Sequence, residues 1–308
     1  MPSMIKDFIR RRTLTHCVLD RSLSGRLKQL LWLHGLNRDR VRRQASTRDI
    51  DPATRTTIRG LTEHGIVLGA VPDFLSLDGI AALDAAEKAI RAKVASDEVQ
   101  EVQSKGRKED QHKDYMLHIV NFDDPINGDH PLLHVALDGR LLRTVAAYMG
   151  MWPQLHAIGS WLNFPVNQDA KASQLWHRDP EDLKTVKVFI YLDDVGPKQG
   201  PFTFIKASHP WGADCNKAPR HQHPRRVLDH EMVDTFPPAR WTECTGPART
   251  MIIADTVGYH RGGYVVEGHR LLVTFTYTSG SPQKARRLAL ATEPTWERDA
   301  MQDYALKD

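Results

Sequence analysis

Cysteine is scarce in this chain. Cys17, Cys215 and Cys244 form neither a Cys-x-x-Cys pair nor an even set. That excludes a disulfide framework and a cysteine-based zinc cluster, and a reducing cytoplasm suits three isolated thiols best. Long apolar runs are missing too: nothing approaches the roughly 18 consecutive apolar residues of a membrane-spanning helix. The amino terminus, MPSMIKDFIRRRTLTHCVLD, lacks the apolar centre of a secretory signal. Charge of one sign is in short supply. A net +4 over 308 residues gives no footprint for nucleic acid. The basic residues lack the interleaved aromatics of a single-strand binder, and no helix-turn-helix or zinc-finger spacing appears. Internal repeats and low-complexity tracts are absent as well.

What remains is a globular chain long enough to bury one large core with a smaller appended region. Basic residues concentrate in the first sixty positions, in IRRR, NRDRVRRQ and TRTTIRG. We expect a basic extension over residues 1–60, solvated or touching an anionic partner, with one amphipathic helix in SLSGRLKQLLWLHGL. Helical spacing puts Leu23, Leu27, Leu30, Leu31 and His34 on one face of that helix, and Ser22 or Ser24 can cap it. This face is expected to dock on the main core, with peripheral contact to a membrane surface as the alternative. A polar, Arg-rich linker is expected up to about residue 60.

Residues 61–308 read as one catalytic domain. GIVLGAVPDFLS predicts a strand and turn. Helices come next in LDGIAALDAAEKAIRAKVASDEV and in PLLHVALDGRLLRTVAAYMG, the second stopped by Gly150. These form a helical support over 61–150. From residue 153 the texture changes to short runs rich in Val, Ile, Phe and Thr: LHAIGSWLNF, TVKVFIYLDDV, GPFTFIKAS, ARTMIIADT and RLLVTFTYT. Strands after helices indicate an α+β protein. The natural closure is a double-stranded β-helix, a jelly-roll or cupin-like barrel over 153–280 with flanking, mainly N-terminal helices. A Pro-, His- and Arg-rich interval over 210–248 reads as a lid-like insertion, and a helix is expected over 293–306.

The chemistry lies in the barrel half. QLWHRDP carries His177 and Asp179, but a His-x-Asp alone is weak: HKD at His112–Asp114 has the same spacing. Two residues further along the chain give the first pair its weight. His260 ends an apolar strand in IIADTVGYHRGG, and Arg270 opens the strand HRLLVTFTYT. Two His and one carboxylate converging on one face of an ion leave open positions, the facial triad of non-haem Fe(II) oxygenases. A buried Arg270 needs a carboxylate partner, and the distal carboxylate of 2-oxoglutarate suits it. Ion pairing of Arg270 with Glu267 or Asp255 stays open at this point, as does a zinc site in His221–His223. Trp161 and Phe202 are candidate pocket walls. Arg178 and Arg261 flank ligands and are candidate substrate contacts.

WHRD, YLDD followed by GPFTFIKASH, and DTVGYH…GHR together resemble the phytanoyl-CoA dioxygenase family of iron- and 2-oxoglutarate-dependent oxygenases, over roughly residues 153–280. The resemblance implies Fe(II) at His177, Asp179 and His260, and 2-oxoglutarate anchored by Arg270. It also puts Asn163 and Gln174 at positions that touch 2-oxoglutarate in relatives. The implied reaction consumes O₂ and 2-oxoglutarate, releases succinate and CO₂, and normally hydroxylates an unactivated C–H bond of a small molecule. Departures are visible. Lys206-Ala207 replaces a proline-glycine, and Gly262 stands where many members carry a small hydroxyl residue. Asp179 argues against halogenation, which needs that position open. The basic extension and lid tilt the expected substrate towards an anion, free or carrier-bound, with sugar-like acids among the family's range. The competing class is a non-catalytic or zinc-dependent cupin-like binder or hydrolase, which would have no use for Arg270.

Overall fold

Alternation of side chains along the apolar strands of the second half calls for a sheet buried on both faces. A computed structural model describes residues 25–45, 50–97, 99–101, 114–166, 169–219 and 226–307. In it the strands β1 (Ile66–Ala70), β2 (Met116–Val120), β3 (Gln154–Asn163), β4 (Val186–Tyr191), β7 (Thr250–Asp255) and β9 (Arg270–Thr278) form one six-stranded sheet, in the order β1-β7-β4-β9-β3-β2. A second sheet of three strands, β6-β5-β8, comprises β5 (Phe202–Ile205), β6 (Trp241–Cys244) and β8 (His260–Gly262). All these pairings are antiparallel. The two sheets form the double-sheet α+β architecture expected, although no closed barrel forms among the described residues.

Period-2 alternation sends each strand of the large sheet to two destinations. Val186, Val188 and Ile190 of β4 join Met251, Ile253, Leu271, Val273 and Phe275 in a core shared with the helices. Their neighbours Phe189, Tyr191, Ile252, Ala254 and Leu272 pack instead against Phe202, Phe204 and Cys244 of the small sheet. The helices therefore cover one face, and the second sheet covers part of the other. The uncovered remainder of that inner face becomes a cavity.

Three helical expectations need correction. The predicted linker up to residue 60 contains helices at Arg38–Ala45 and Pro52–His64. The second begins where Asp51 accepts a hydrogen bond from Thr54 N at 2.9 Å ahead of Pro52, and stops at Gly65 with φ 78°. The predicted helix over 131–150 is broken at Asp138, whose carboxylate accepts from the amides of Arg140 and Leu141 and caps a new helix, Gly139–Met149. It does end at Gly150, in the left-handed region. At the carboxyl end the regular helix is only Ala300–Leu306, capped by Asp299.

The amino-terminal helix docks, but of the described residues of the predicted face only Leu31 packs against the core, beside Leu33 and Leu36. Gly25–Leu30 runs into a wider turn at Leu31–Leu36, which rotates Trp32 inward while Leu27 and Leu30 stay exposed. Trp32 Nε1 donates to Asp182 Oδ1 at 3.2 Å, and its ring lies 6.1 Å from that of Trp211. Arg40, expected in solvent, is buried: it donates to Trp152 O at 3.1 Å and lies 4.6 Å over the Tyr304 ring. Leu23, the candidate caps Ser22 and Ser24, Cys17, His112, His221 and His223 lie outside the described residues. No described helix is long and apolar enough to cross a membrane.

His209 shows how tightly the helical layer meets the sheets. Its Nε2 is 3.2 Å from Thr62 O, and a side chain added at Gly65 or Gly212 would come within 2.5 or 2.7 Å of its ring. Burial, aided by the nearby Lys184 ammonium, pushes its pKa down to about 4. The unfolded imidazole titrates at its ordinary value of 6.5, so in that window the unfolded state binds the extra proton. Stability is therefore complete above the ordinary value and falls as pH drops towards 4, by up to about 3 kcal/mol from this group. Denaturant titrations from pH 7 to 4 should show a shallower loss for His209→Gln than for the wild type.

Candidate metal centre and adjoining cavity

His177 and Asp179 lie in the extended segment before β4, and their spacing aims both side chains to one side. The backbone carries them to the small sheet. His177 N donates to His260 O at 2.9 Å, His260 N returns a bond to His177 O at 3.0 Å, and Asp179 N donates to Thr256 O at 2.9 Å. The three side chains consequently offer ligand atoms within 4.8 Å of one another. His177 Nε2 is 3.7 Å from Asp179 Oδ1, and His260 Nε2 is 3.5 Å from Asp179 Oδ2.

Each imidazole has spent its other nitrogen. His177 Nδ1 donates to Leu175 O at 2.8 Å, and His260 Nδ1 donates to Gly258 O at 3.0 Å. Nδ1 therefore carries the proton, and Nε2 faces the carboxylate with a free lone pair, the tautomer a metal requires. Burial holds both rings well on the neutral side, reinforced for His177 by its neighbour His260. For Asp179 burial works in the opposite sense, but Lys187, His260 and His177 outweigh it and hold the carboxylate far below its usual range. Lys187 is the strongest of these, with Nζ 2.7 Å from Asp179 Oδ2 and 3.6 Å from Glu181 Oε1. Burial would lower the Lys187 ammonium, yet its two carboxylate partners raise it. It stays charged and occupies one carboxylate oxygen, leaving Oδ1 for an ion.

The triad opens on a cavity of about 290 Å³ between the two sheets. At one end Arg270, on β9 opposite Asn163, donates through Nη2 to Asn163 Oδ1 at 3.0 Å. Its Nε and Nη1 are buried without a partner. The two carboxylates considered for it are engaged elsewhere: Glu267 meets Lys198, and Asp255 accepts from Tyr148 and Thr185. Gln174 lines this end, although its Oε1 is taken by Lys171 N at 3.1 Å. Gly262 keeps it open, since a side chain there would reach Ser173 O at 3.5 Å and Arg270 Nη2 at 3.6 Å. Arg226 also faces the cavity, with Nη1 buried and unpartnered, near the Asp179 carboxylate and the uncharged Tyr115 phenol.

Trp161 and Phe202 line the cavity as expected. Arg178 and Arg261 do not. Arg178 donates to the carbonyls of Ser208 and Cys215 and lies 4.2 Å over the Tyr259 ring. Arg261 pairs with Asp229 at 2.7 Å and lies 4.8 Å over the Trp176 ring. In an extended chain the neighbours of an inward residue point outward, so adjacency to a ligand sends both arginines away from it. Asp114, of the second His-x-Asp, is buried against Lys171 at 2.8 Å.

Residues that sequence reasoning passed over complete the walls: Lys187, Glu181, His156, Thr274, Ser173 and Tyr115. Tyr115 Oη and Ser173 Oγ are 2.7 Å apart beside Arg270, a hydroxyl pair at the end where Gly262 lacks one. Only Lys187 left a trace in the sequence, as a lysine inside the apolar strand TVKVFIY.

The sequence model of the phytanoyl-CoA dioxygenase family matches residues 62–253. His260 and Arg270 lie beyond that match, so their place in the site rests on geometry. Among solved structures, EctD from S. alaskensis with 2-oxoglutarate and 5-hydroxyectoine is similar at 17% identity and TM-score 0.50, covering 81% of this chain and 92% of that one. AviO1 from Streptomyces viridochromogenes Tue57 aligns at 19% identity and TM-score 0.49, over 78% of this chain and all of the other. HygX from Streptomyces hygroscopicus, with nickel and 2-oxoglutarate bound, aligns at 14% and 0.46, over 75% and 88%. No curated protein matches the sequence significantly.

Equilibrium dialysis with Ni(II) tests the cluster directly. His177→Ala, Asp179→Ala and His260→Ala should each weaken binding by more than the roughly 10–100-fold that loss of an outer partner costs.

Proposed function

The chain belongs to the phytanoyl-CoA dioxygenase family, and from that premise we propose that it is a non-haem Fe(II)- and 2-oxoglutarate-dependent dioxygenase hydroxylating a C–H bond of a small molecule. The observation that carries this reading is the pairing of two separate features: a neutral His, neutral His, ionised Asp cluster, and a buried guanidinium with two unpartnered nitrogens. His177, Asp179 and His260 would hold the iron, and Arg270 would anchor the distal carboxylate of 2-oxoglutarate.

The residues present fit both groups. Two imidazole nitrogens and one carboxylate oxygen converge on one point, a donor set suited to Fe(II) that leaves room for further ligands. Arg270 carries two unpartnered buried nitrogens, so its end of the cavity has a cationic surplus matching a carboxylate, and Arg226, with one more, stands by Asp179 and Tyr115. Bound there, iron and 2-oxoglutarate supply O₂ activation coupled to release of succinate and CO₂.

The protein's own contribution is positional. Lys187 keeps Asp179 ionised and holds its second oxygen. The Leu175 and Gly258 carbonyls hold both imidazoles in the ligating tautomer, and Asn163 orients Arg270. Ser173 and Tyr115 present hydroxyls to the co-substrate in place of the one missing at position 262. Trp161, Phe202, Phe189 and Leu272 keep water from the centre. A zinc hydrolase or a metal-bearing binder would account for the triad but not for Arg270.

Anaerobic addition of Fe(II) and then 2-oxoglutarate should produce the weak visible charge-transfer band of the chelate. His177→Ala should abolish it. Arg270→Ala should raise the 2-oxoglutarate concentration needed by roughly tenfold or more, the scale of a lost charge-assisted bond. Absence of any band, with zinc tightly retained, would overturn the reading. In a separate assay of succinate release, Tyr115→Phe and Ser173→Ala should raise the KM for 2-oxoglutarate several-fold while leaving the band intact.

A further inference from the structure

Strand register divides the cavity lengthwise. On β9 the inward residues run Arg270, Leu272, Thr274, Thr276, and rows form across the sheet: Asn163 with Arg270, Trp161 with Leu272, Gly159 with Thr274 and Phe189, Ala157 with Thr276 and Lys187. At about 3.4 Å per residue, Thr276 lies roughly 20 Å along the strand from Arg270. Lys187 sets Asp179 beside the last of these rows, so the rows of Thr274 and Thr276 make up the half of the cavity away from Arg270, with Asp179 at its side.

That far end is chemically unlike the Arg270 end. Its cations are already matched: Lys187 by Asp179 and Glu181, Arg287 by Asp123 at 2.8 Å. What is left unpaired is of another kind. His156 is 1% exposed, yet neither ring nitrogen has a partner. Thr274 Oγ1 is buried and unpartnered, and so is Glu181 Oε2. The β3 register shifts between Leu155 and Ala157, a bulge that lets both His156 and Ala157 line the cavity. Aromatic rings border this half: Trp161 lies in the neighbouring row, edge-to-face with Phe122 at 6.4 Å, and Gly159 leaves room for the Phe122 ring.

We propose that His156, Thr274 and Glu181 form a recognition site for a neutral, multiply hydroxylated substrate, a polyol or sugar ring seated against Phe122 and Trp161. A neutral imidazole offers one donor and one acceptor, as does a threonine hydroxyl, and each complements an alcohol. A carboxylate or phosphate substrate would meet the Glu181 oxygen, where the adjacent cations Lys187 and Arg287 are already held by carboxylates. An alkyl chain would leave three buried polar groups unsatisfied. Burial keeps His156 uncharged, lowering it to about 4. This replaces the anionic substrate suggested by the basic extension and lid. It rests on the dioxygenase reading for which end of the cavity holds the co-substrate.

Three six-membered rings of similar size serve as probes: myo-inositol, cyclohexanecarboxylate and cyclohexylammonium. Ligand-observed NMR titrations use the full chain with Zn(II) and 2-oxoglutarate, and again without either. Inositol should bind at least about tenfold more tightly than the other two. His156→Phe and Thr274→Val should each weaken it by roughly five- to tenfold, one neutral hydrogen bond's worth, with His156→Gln retaining most of the affinity. An inositol affinity no greater than that of the carboxylate or ammonium, or one unmoved by both variants, overturns the proposal. The metal-free arm separates the two readings. Inositol binding that His156→Phe weakens, in a chain without the Fe(II)–2-oxoglutarate band, keeps the polyol site and removes the dioxygenase. The band without inositol binding does the reverse.

Discussion

Two backbone hydrogen bonds between His177 and His260 are the constraint on which the site depends. They join the segment before β4 to β8, distant in sequence, as a single antiparallel rung. Without that rung the segment would have buried amides and no partner, a cost that fixes its path as firmly as a strand would. With it, the His177, Asp179 and His260 side chains arrive on one side together. Each imidazole then uses a carbonyl two residues earlier to settle its own tautomer. Ligand placement and protonation thus derive from the same few backbone bonds.

The large sheet converts this local arrangement into a polarised cavity. Its outer face is fully occupied by the helical core, so every inward residue of β3, β4 and β9 is committed to the cavity or to the small sheet. Charges within it are distributed unevenly. Arg270 keeps unpaired guanidinium nitrogens at its end, Lys187 is neutralised beside the triad, and the rest holds paired charges together with the unpartnered His156, Thr274 and Glu181 atoms. Buried charge without a partner is costly, so the unpaired groups mark where ligands supply what the fold leaves out. The amino-terminal segment supports this from behind: Trp32 donates to Asp182, whose other oxygen accepts from Ser279 N, bracing the ligand-bearing segment against the end of β9.

Legibility in the sequence tracks physical range. His177, Asp179, His260 and Arg270 can be read because their spacing and strand-edge placement express local geometry. Trp161 and Phe202 can be read because large aromatics within apolar strands favour burial, and here the inner face they occupy borders the cavity. Arg178 and Arg261 mislead as pocket residues, although the alternation that aims His177 and Asp179 inward also turns Arg178 outward. The Asp51-Pro52 helix start and the Asp138 cap are present as signals but are masked by a basic composition and a continuous apolar pattern. His156 and Thr274 are not legible, and Lys187 shows only as a lysine inside an apolar strand: an isolated polar residue in a strand reads as facing solvent, and only the covering sheet shows that it faces a cavity.

The amino-acid sequence by itself determined the α+β class, most of the strands after residue 153, and the four candidate residues of the site, while β2 and the β6 strand inside the predicted lid-like interval are not legible in it. Each legible feature is specified by side-chain type and by periodicity within a few residues. Tertiary structure alone decided that Arg40 and Trp32 are buried, that Lys187 meets Asp179, and that the cavity has an unpaired guanidinium at one end and paired charges with unpartnered polar groups at the other. Those outcomes depend on which strands become neighbours and on what covers their inner face. Partners brought together from distant parts of the chain, through the register of β3, β4 and β9, leave no local imprint on the residues that meet there.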